Sequence, residues 1–254
     1  MKFLTCAFLV LIGAVFCRAQ ELTVAAAADL RPAVEQIAKH FEAASGIKLR
    51  VSYGSSGNFY QQLQNGAPFD GFLSANVDYP KRLQAAGLIV NGSYYEFARG
   101  SIVLLVRSKS TLDLKTGLRV LTESKVTKVA IADPGHAPYG QAAIAALKSE
   151  GVYEKVQSKL VRGENVSQAA SFVLSGAADV GIVAKSLALS PSAVSQVRFV
   201  EVPAGDYPPL LQAMVVLKSS KNQQAAARFE SFMRGSEAKQ ILKQFGFEVT
   251  EDAR

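Results

Sequence analysis

Residues 21–27 read as a strand that turns alanine-rich at its end. Leu30, Val34, Ile37, Ala38 and Phe41 then recur at helical spacing and form one apolar face. Pro32 sits in the first turn of this helix, where a missing N–H costs nothing, and Gly46 stops it. Ile47, Leu49, Val51 and Tyr53 alternate as a strand. Strand, helix, strand in this order opens a parallel α/β sheet. Downstream the pattern predicts a short helix over 59–64, a strand over 70–75, and a helix over 79–86 closed by Gly87. Strands follow over 102–106 and 126–132, then helices over 139–150 and from 166 to 175. Strands over 180–183, 197–202 and 214–217 precede two tail helices over 222–233 and 237–245.

Residues 54–75 and 163–184 share a design: a polar loop, a helix, a small-residue turn with an aspartate, then an apolar strand. This is either ordinary βαβ punctuation or two similar lobes facing each other across a cleft. The tail helices fit the second reading, because a chain that crosses back after the second unit would finish the first lobe. No Ser/Gly-rich linker separates the two units, so a hinge is expected in short crossing strands near 97–100 and 210–213.

Composition narrows the class. The chain has 254 residues, 49% hydrophobic and 19% charged, which excludes disorder and suffices for one large core or two smaller ones. Nineteen glycines and nine prolines exclude collagen-like and low-complexity chains. Met1-Lys2, an apolar run of about 14 residues and Cys17-Arg18-Ala19 form an expected secretory signal cut before Gln20; the run is short of the roughly 20 residues needed to span a bilayer. Cleavage removes Cys6, Cys17, Lys2 and Arg18, leaving 26 basic and 21 acidic residues, about +5 instead of +7. A cysteine-free exported chain has no disulfide, thiol nucleophile or thiolate metal site. His40 and His136 alone do not make a multi-histidine site. The positive charge is spread out, without the clustered Arg/Lys-plus-aromatic pattern of nucleic-acid binders, so no nucleic-acid partner is expected. A diffuse positive field steers anions modestly.

Four predicted helix starts carry the candidate chemistry: Ala28-Asp29, Ser55-Ser56-Gly57-Asn58, Pro138-Tyr139-Gly140 and Asn165-Val166-Ser167. Their free N–H groups and positive dipole ends favour anions. Singly, each is a routine cap. Together, two in each proposed lobe, they surround a small tetrahedral oxyanion with backbone N–H groups and the Ser56 and Tyr139 hydroxyls. Such neutral donors hold a fully ionised oxyanion and reject one that arrives with an extra proton, which finds no acceptor.

The same segments resemble the periplasmic molybdate-binding proteins of ABC importers, which are type II two-lobed solute-binding proteins. Ala25-Ala26-Ala27-Ala28-Asp29-Leu30 is similar to that family's first ligand loop, and Tyr53-Gly54-Ser55-Ser56-Gly57 to its serine loop. Residues 66–75, GAPFDGFLSA, resemble its GAPxDxFxSA segment, and 132–140 its DPxxxPxG loop. Glu164-Asn165-Val166, Gly181-Ile182-Val183 and Phe245-Gly246-Phe247 continue the likeness, which covers 21–248. The resemblance implies an α/β fold of two lobes, each a mixed sheet flanked by helices, with lobe 1 over 20–99 and 210–254 and lobe 2 over 100–209. It implies ligand contacts at Ala28, Asp29, Ser56, Tyr139 and Val166, with Tyr139 and Val166 giving backbone N–H groups. It further implies a periplasmic monomer without cofactor, free metal cation or catalysis. That monomer takes molybdate, or tungstate as a near-isostere, to an inner-membrane ABC permease.

Two positions depart from the family pattern. Many relatives have Ser or Thr-Asn where Ala28-Asp29 stands, and some have a contacting Tyr where Ala184 precedes Lys185. Two unit charges about 4 Å apart at an effective dielectric near 20 repel by about 4 kcal/mol, so a carboxylate aimed at a dianion is prohibitive. Asp29 therefore either turns inward to cap its own helix, is protonated, or marks a different ligand. Lys185 either offsets its charge or is a solvated lysine. His136 is read as a loop histidine at the cleft rim, Asp70 and Asp179 as turn-orienting residues, and Tyr94-Tyr95 as packing or a cleft-edge pair. Two other functions compete. Asp29 with Tyr139 suits a ferric ion or another hard cation. Asp29 with His136 suits a secreted hydrolase, although the sequence lacks G-x-S-x-G, H-E-x-x-H and a mature thiol.

Overall fold

The computed structural model describes residues 20–249; the signal sequence expected over 1–19 lies outside the described residues. The chain opens with β1 (Glu21–Ala27), a 3-10 turn at Ala28–Leu30, α1 (Arg31–Ser45) and β2 (Lys48–Gly54). β1 and β2 pair in parallel from Glu21–Lys48 to Ala27–Gly54, as the alternation predicts. α1 buries Ala33, Val34, Ile37 and Phe41 and stops at Gly46. α2 (Ser56–Gln64), β3 (Gly71–Ser74), α3 (Asp78–Ala85) and β4 (Tyr95–Gly100) complete the first passage.

The chain then enters a second sheet through β5 (Ile102–Arg107). Helical turns at Leu114–Thr122 lead to β6 (Val129–Ala132), α4 (Pro138–Ser149), α5 (Tyr153–Val156) and β7 (Leu160–Gly163). α6 (Val166–Ser175), β8 (Val180–Ala184), α7 (Lys185–Ala188) and β9 (Val197–Glu201) finish this half. β10 (Leu210–Val216) returns to the first sheet, followed by α8 (Gln223–Arg234), α9 (Ser236–Gln244) and β11 (Glu248–Val249).

Both sheets are mixed, and they share an order. The first runs β11-β4-β10-β3-β1-β2 and the second β7-β6-β8-β5-β9. In each, a parallel trio (β2-β1-β3 or β7-β6-β8) is extended through antiparallel pairings, by β10, β4 and β11 in the first sheet and by β5 and β9 in the second. The repeated stretches 54–75 and 163–184 fall at equivalent places, running from the end of β2 or β7, through α2 or α6, into β3 or β8. The likeness therefore extends to sheet order. Asp70 and Asp179 act alike too. Asp70 accepts from Thr23 N at 2.8 Å, and Asp179 accepts from Thr127 N at 2.8 Å and Lys128 N at 2.9 Å. Each pins the entry of its central strand.

The tail belongs to the first half. Phe41 of α1 packs edge-on against Phe229 and Phe232 of α8, with centroids 5.2 and 5.6 Å apart. Burying a ring of this size stabilises by about 1.5–3 kcal/mol.

Some elements carried no periodic signal. α2 begins at Ser56 rather than 59, because its first turn is polar and capped by Ser55, whose hydroxyl accepts from Asn58 N at 3.3 Å. β7 is a short edge strand with three of its four residues partly or fully exposed, too brief to alternate visibly. β6 starts at Val129, three residues later than the apolar run suggests.

Candidate functional site

The site is assembled from four chain segments. β1 ends in small buried alanines, so its exit offers backbone rather than side chain to the space beyond. Ala28 and Asp29 follow in the 3-10 turn before α1. Ser56 opens α2 under the Ser55 cap. In the second half, Pro138 occupies the first position of α4 and has no N–H, which makes Tyr139 the first amide of that helix. Val166 opens α6, whose cap Asn165 accepts from Gln168 N at 3.1 Å. The first amides of a helix have no partner within it.

Ala28, Asp29, Ser56, Tyr139 and Val166 all line one small cavity of about 10 Å³. Pockets for organic ligands usually measure about 300–1,000 Å³, so this one, with about the space of a single water, has no room for an organic guest. Wider hollows of about 950 and 630 Å³ lie along α1 and α6 and beside Arg107. Neither collects the sequence-predicted residues, and their size fits no compact ion.

Hydrogen bonds between the two halves close the cavity. Gly57 N donates to His136 O at 3.0 Å, and Ser55 Oγ pairs with His136 Nδ1 at 2.8 Å. Ser167 Oγ donates to Ala28 O at 2.9 Å and Ser186 Oγ to Asp29 O at 2.7 Å. Ser56 Oγ accepts from Ala75 N at 2.9 Å, which leaves its own proton to give.

Three expectations need correction. Asp29 does not cap its helix: no side-chain cap bond forms there. Its fully buried carboxyl instead reaches across the halves, where Oδ2 accepts from Tyr139 Oη at 2.9 Å and from Gln212 Nε2 at 2.6 Å. Burial pushes this carboxyl up to about 6, against the opposing pull of the Gln212 and Tyr139 hydrogen bonds. Second, the Tyr139 hydroxyl donates to Asp29, so only its amide remains for a guest. Burial, then the neighbouring Asp29, hold this phenol well above its usual range. Third, Lys185 does not offset Asp29, because its Nζ lies 2.6 Å from Glu201 Oε1.

Other candidates fall outside the cavity. His136 sits at the rim, bonded to Ser55, while Asp29 has other partners; the pair required for a hydrolase is not assembled. Tyr94 donates to Glu96 and lies under Lys81. Among the described residues no group of three or more His, Cys, Asp or Glu could hold a metal ion, and no helix is long and apolar enough to cross a membrane.

Sequence reasoning missed Gln212 and Ser186, and it named Ser167 only within a helix start, without its bond to Ala28. Gln212 had a usable signal: it is the one polar residue in Leu210–Val216, and it is fully buried. A buried amide in an apolar strand requires a partner. Gly100 was placed near the hinge without a role. A Cβ there would fall on the Tyr139 hydroxyl and 2.9 Å from Gln212 Nε2, so the glycine makes room for the cluster.

The family model described as bacterial extracellular solute-binding protein matches residues 22–248. The molybdate-binding protein ModA of Rhodobacter capsulatus is 36% identical over 233 residues, covering 92% of this chain and 90% of that one. ModA of Azotobacter vinelandii is 35% identical over 237 residues, covering 92% and 93%. The solved Azotobacter vinelandii periplasmic molybdate-binding protein superposes with a TM-score of 0.85 at 34% identity, covering 91% of this chain and all of that one. The chain therefore belongs to the bacterial extracellular solute-binding proteins, which are binding components of transport and not enzymes.

Proposed function

We propose that this chain captures molybdate between two lobes and delivers it to an ABC permease in the inner membrane. The observation that carries the reading is the convergence of four helix starts on one small cavity. The contacts are the amides of Ala28, Asp29, Ser56, Tyr139 and Val166 and the Ser56 hydroxyl, all directed at the oxygens of the anion. The lobes comprise 20–99 with 210–254 and 100–209, and they move about the crossings near 97–100 and 210–213. The molybdate-binding relatives support the choice of ligand. Tungstate, of equal charge and shape, is expected to bind alongside it. Sulfate has the same charge and shape but is smaller, so cavity size separates it.

A phenol held protonated against a carboxyl is a poor ligand for ferric ion, which favours the anion reading over the cation one. We read the protein as exported to the periplasm and monomeric. Side-by-side thermal melts of the mature chain with molybdate, tungstate, sulfate, phosphate and ferric citrate test this. Molybdate and tungstate should raise the melting temperature at micromolar concentration. A shift with ferric ion or phosphate alone overturns the assignment.

A further inference from the structure

Asp29 lines the cavity and Gln212 bonds it from behind, and one buried acceptor atom of each, Asp29 Oδ1 and Gln212 Oε1, has no hydrogen-bond partner among the described residues. They belong to head groups already joined through Gln212 Nε2 and Asp29 Oδ2 at 2.6 Å. An ionised Asp29 leaves Gln212 Oε1 without a donor, because a carboxylate only accepts. A neutral carboxylic acid supplies the missing donor on Oδ1, while Oδ2 keeps its bonds from Tyr139 and Gln212. Burying an ionised carboxylate beside a dianion without a compensating cation is strongly unfavourable.

Among the described residues no such cation faces Asp29. Arg31, on the packed α1, lies 3.6 Å from Glu35 and stacks over Tyr53. Lys185 of α7 pairs with Glu201. α6 and β10 carry no ionisable side chain. α4 contributes Tyr139, a neutral phenol, and His136 before it bonds Ser55 instead. Tyr207 Oη accepts from Ile102 N at 3.3 Å and brings no positive charge.

We propose that Asp29 is the specificity-determining acid of the cavity, and that capture of a dianion is accompanied by uptake of one proton from solvent onto its carboxyl. The inference rests on the molybdate reading and adds its regulation. The proton cancels one of the three negative charges that would otherwise meet in the closed cavity. It also preserves the Tyr139–Asp29–Gln212 bridge between the two halves. Asp29 thus ties closure to neutralisation, and dianion capture is strongest at the acid end of the working range.

The test is isothermal calorimetry of the mature chain with molybdate from about pH 7 to pH 9, in buffers of different ionisation enthalpy. The wild type should take up close to one proton, and its Kd should weaken about tenfold per pH unit. Asp29→Asn, which carries a permanent neutral donor, should bind with a flat pH profile and no proton uptake. Molybdate binding by the wild type without proton uptake overturns this inference and leaves the ligand assignment standing. Absence of molybdate binding at every pH overturns both.

Discussion

The two halves place different residues at the same point of the same design. Each has a central parallel strand, β1 or β6, flanked by a strand–helix–strand unit whose helix start faces the cavity. At the exit of that central strand the first half carries Asp29 and the second Tyr139, and the two side chains bond each other. A duplicated frame thus supplies amides from both sides, and one difference between the halves puts a carboxyl where a dianion is expected. Backbone geometry sets the anion-binding potential, and a single side-chain difference sets what that potential costs in proton terms.

Gly57 and Gly100 offer the largest test of this comparison. A Cβ at Gly57 would stand 2.5 Å from His136 O, in the other half. Gly57→Ala should therefore leave the melting temperature of the free chain nearly unchanged, because the halves can stay apart. It should weaken molybdate binding by about 100-fold or more, since closure then forces a backbone overlap of about 3 kcal/mol. Gly100→Ala instead drives a methyl into the buried cluster and should lower stability by about 3 kcal/mol in denaturant melts even without ligand. Equal effects of the two on free-chain stability would break the idea that Gly57 acts only at closure.

The next effect is electrostatic. The folded carboxyl of Asp29 titrates at about 6, above its ordinary 3.8. The folded chain therefore binds the extra proton between those values. Stability from this group is fully present below about pH 4 and is lost as pH rises through 6. Asp29→Asn should raise stability at about pH 8 by up to about 3 kcal/mol and change little at about pH 4. A gain of the same size at both pH values would mean packing, not charge, is responsible.

These sites differ in how legible they were. The four helix starts stood out because caps, a proline and small residues carry local signals: Ser55, Asn165, Pro138 and the alanines before Asp29 announce themselves without tertiary context. The repeat was visible because Asp70 and Asp179 follow matching turns. The partner of Asp29 was not, since Gln212 lies 183 residues away and meets it only once β10 has returned to the first sheet. Helix capping, a local interaction, was the expected outcome for Asp29; a buried long-range bridge prevailed. β7 and the turns at Leu114–Thr122 escaped because short, half-exposed elements leave no period to read.

The paired aspartates sharpen the comparison further. Asp70 is buried and also accepts from Ser220 Oγ at 2.6 Å and Asn222 Nδ2 at 3.3 Å, so it ties the tail to the first half. Asp179 serves only its own half. Burial raises its carboxyl, but the N–H groups of Lys128 and Thr127 and the Thr127 hydroxyl outweigh that and hold it below 3.8. Its contribution is present above about pH 4 and is lost as pH falls through the depressed value. Asp70→Ala should cost about 2–3 kcal/mol, and Asp179→Ala about 1–2 kcal/mol, the latter vanishing toward low pH. Urea titrations of both variants would show this; a larger loss at Asp179 would invert the ranking of the halves.

The smallest expected effect concerns the charge that might have balanced Asp29 from the second half. Lys185 stands at the exit of β8, and from sequence alone it was a candidate counter-ion. Its ammonium is 2.6 Å from Glu201, and its stem packs beside Gly246. Lys185→Met keeps the stem and removes the charge. An ion pair with Glu201, whose side chain is largely exposed, is worth about 0–1 kcal/mol, so stability should change by less than about 1 kcal/mol. Molybdate affinity should stay within about twofold, because a cation already paired with another carboxylate contributes little to the cavity. If affinity instead fell about tenfold, a lysine field would be compensating the dianion, and the acid in the first half would not need its proton.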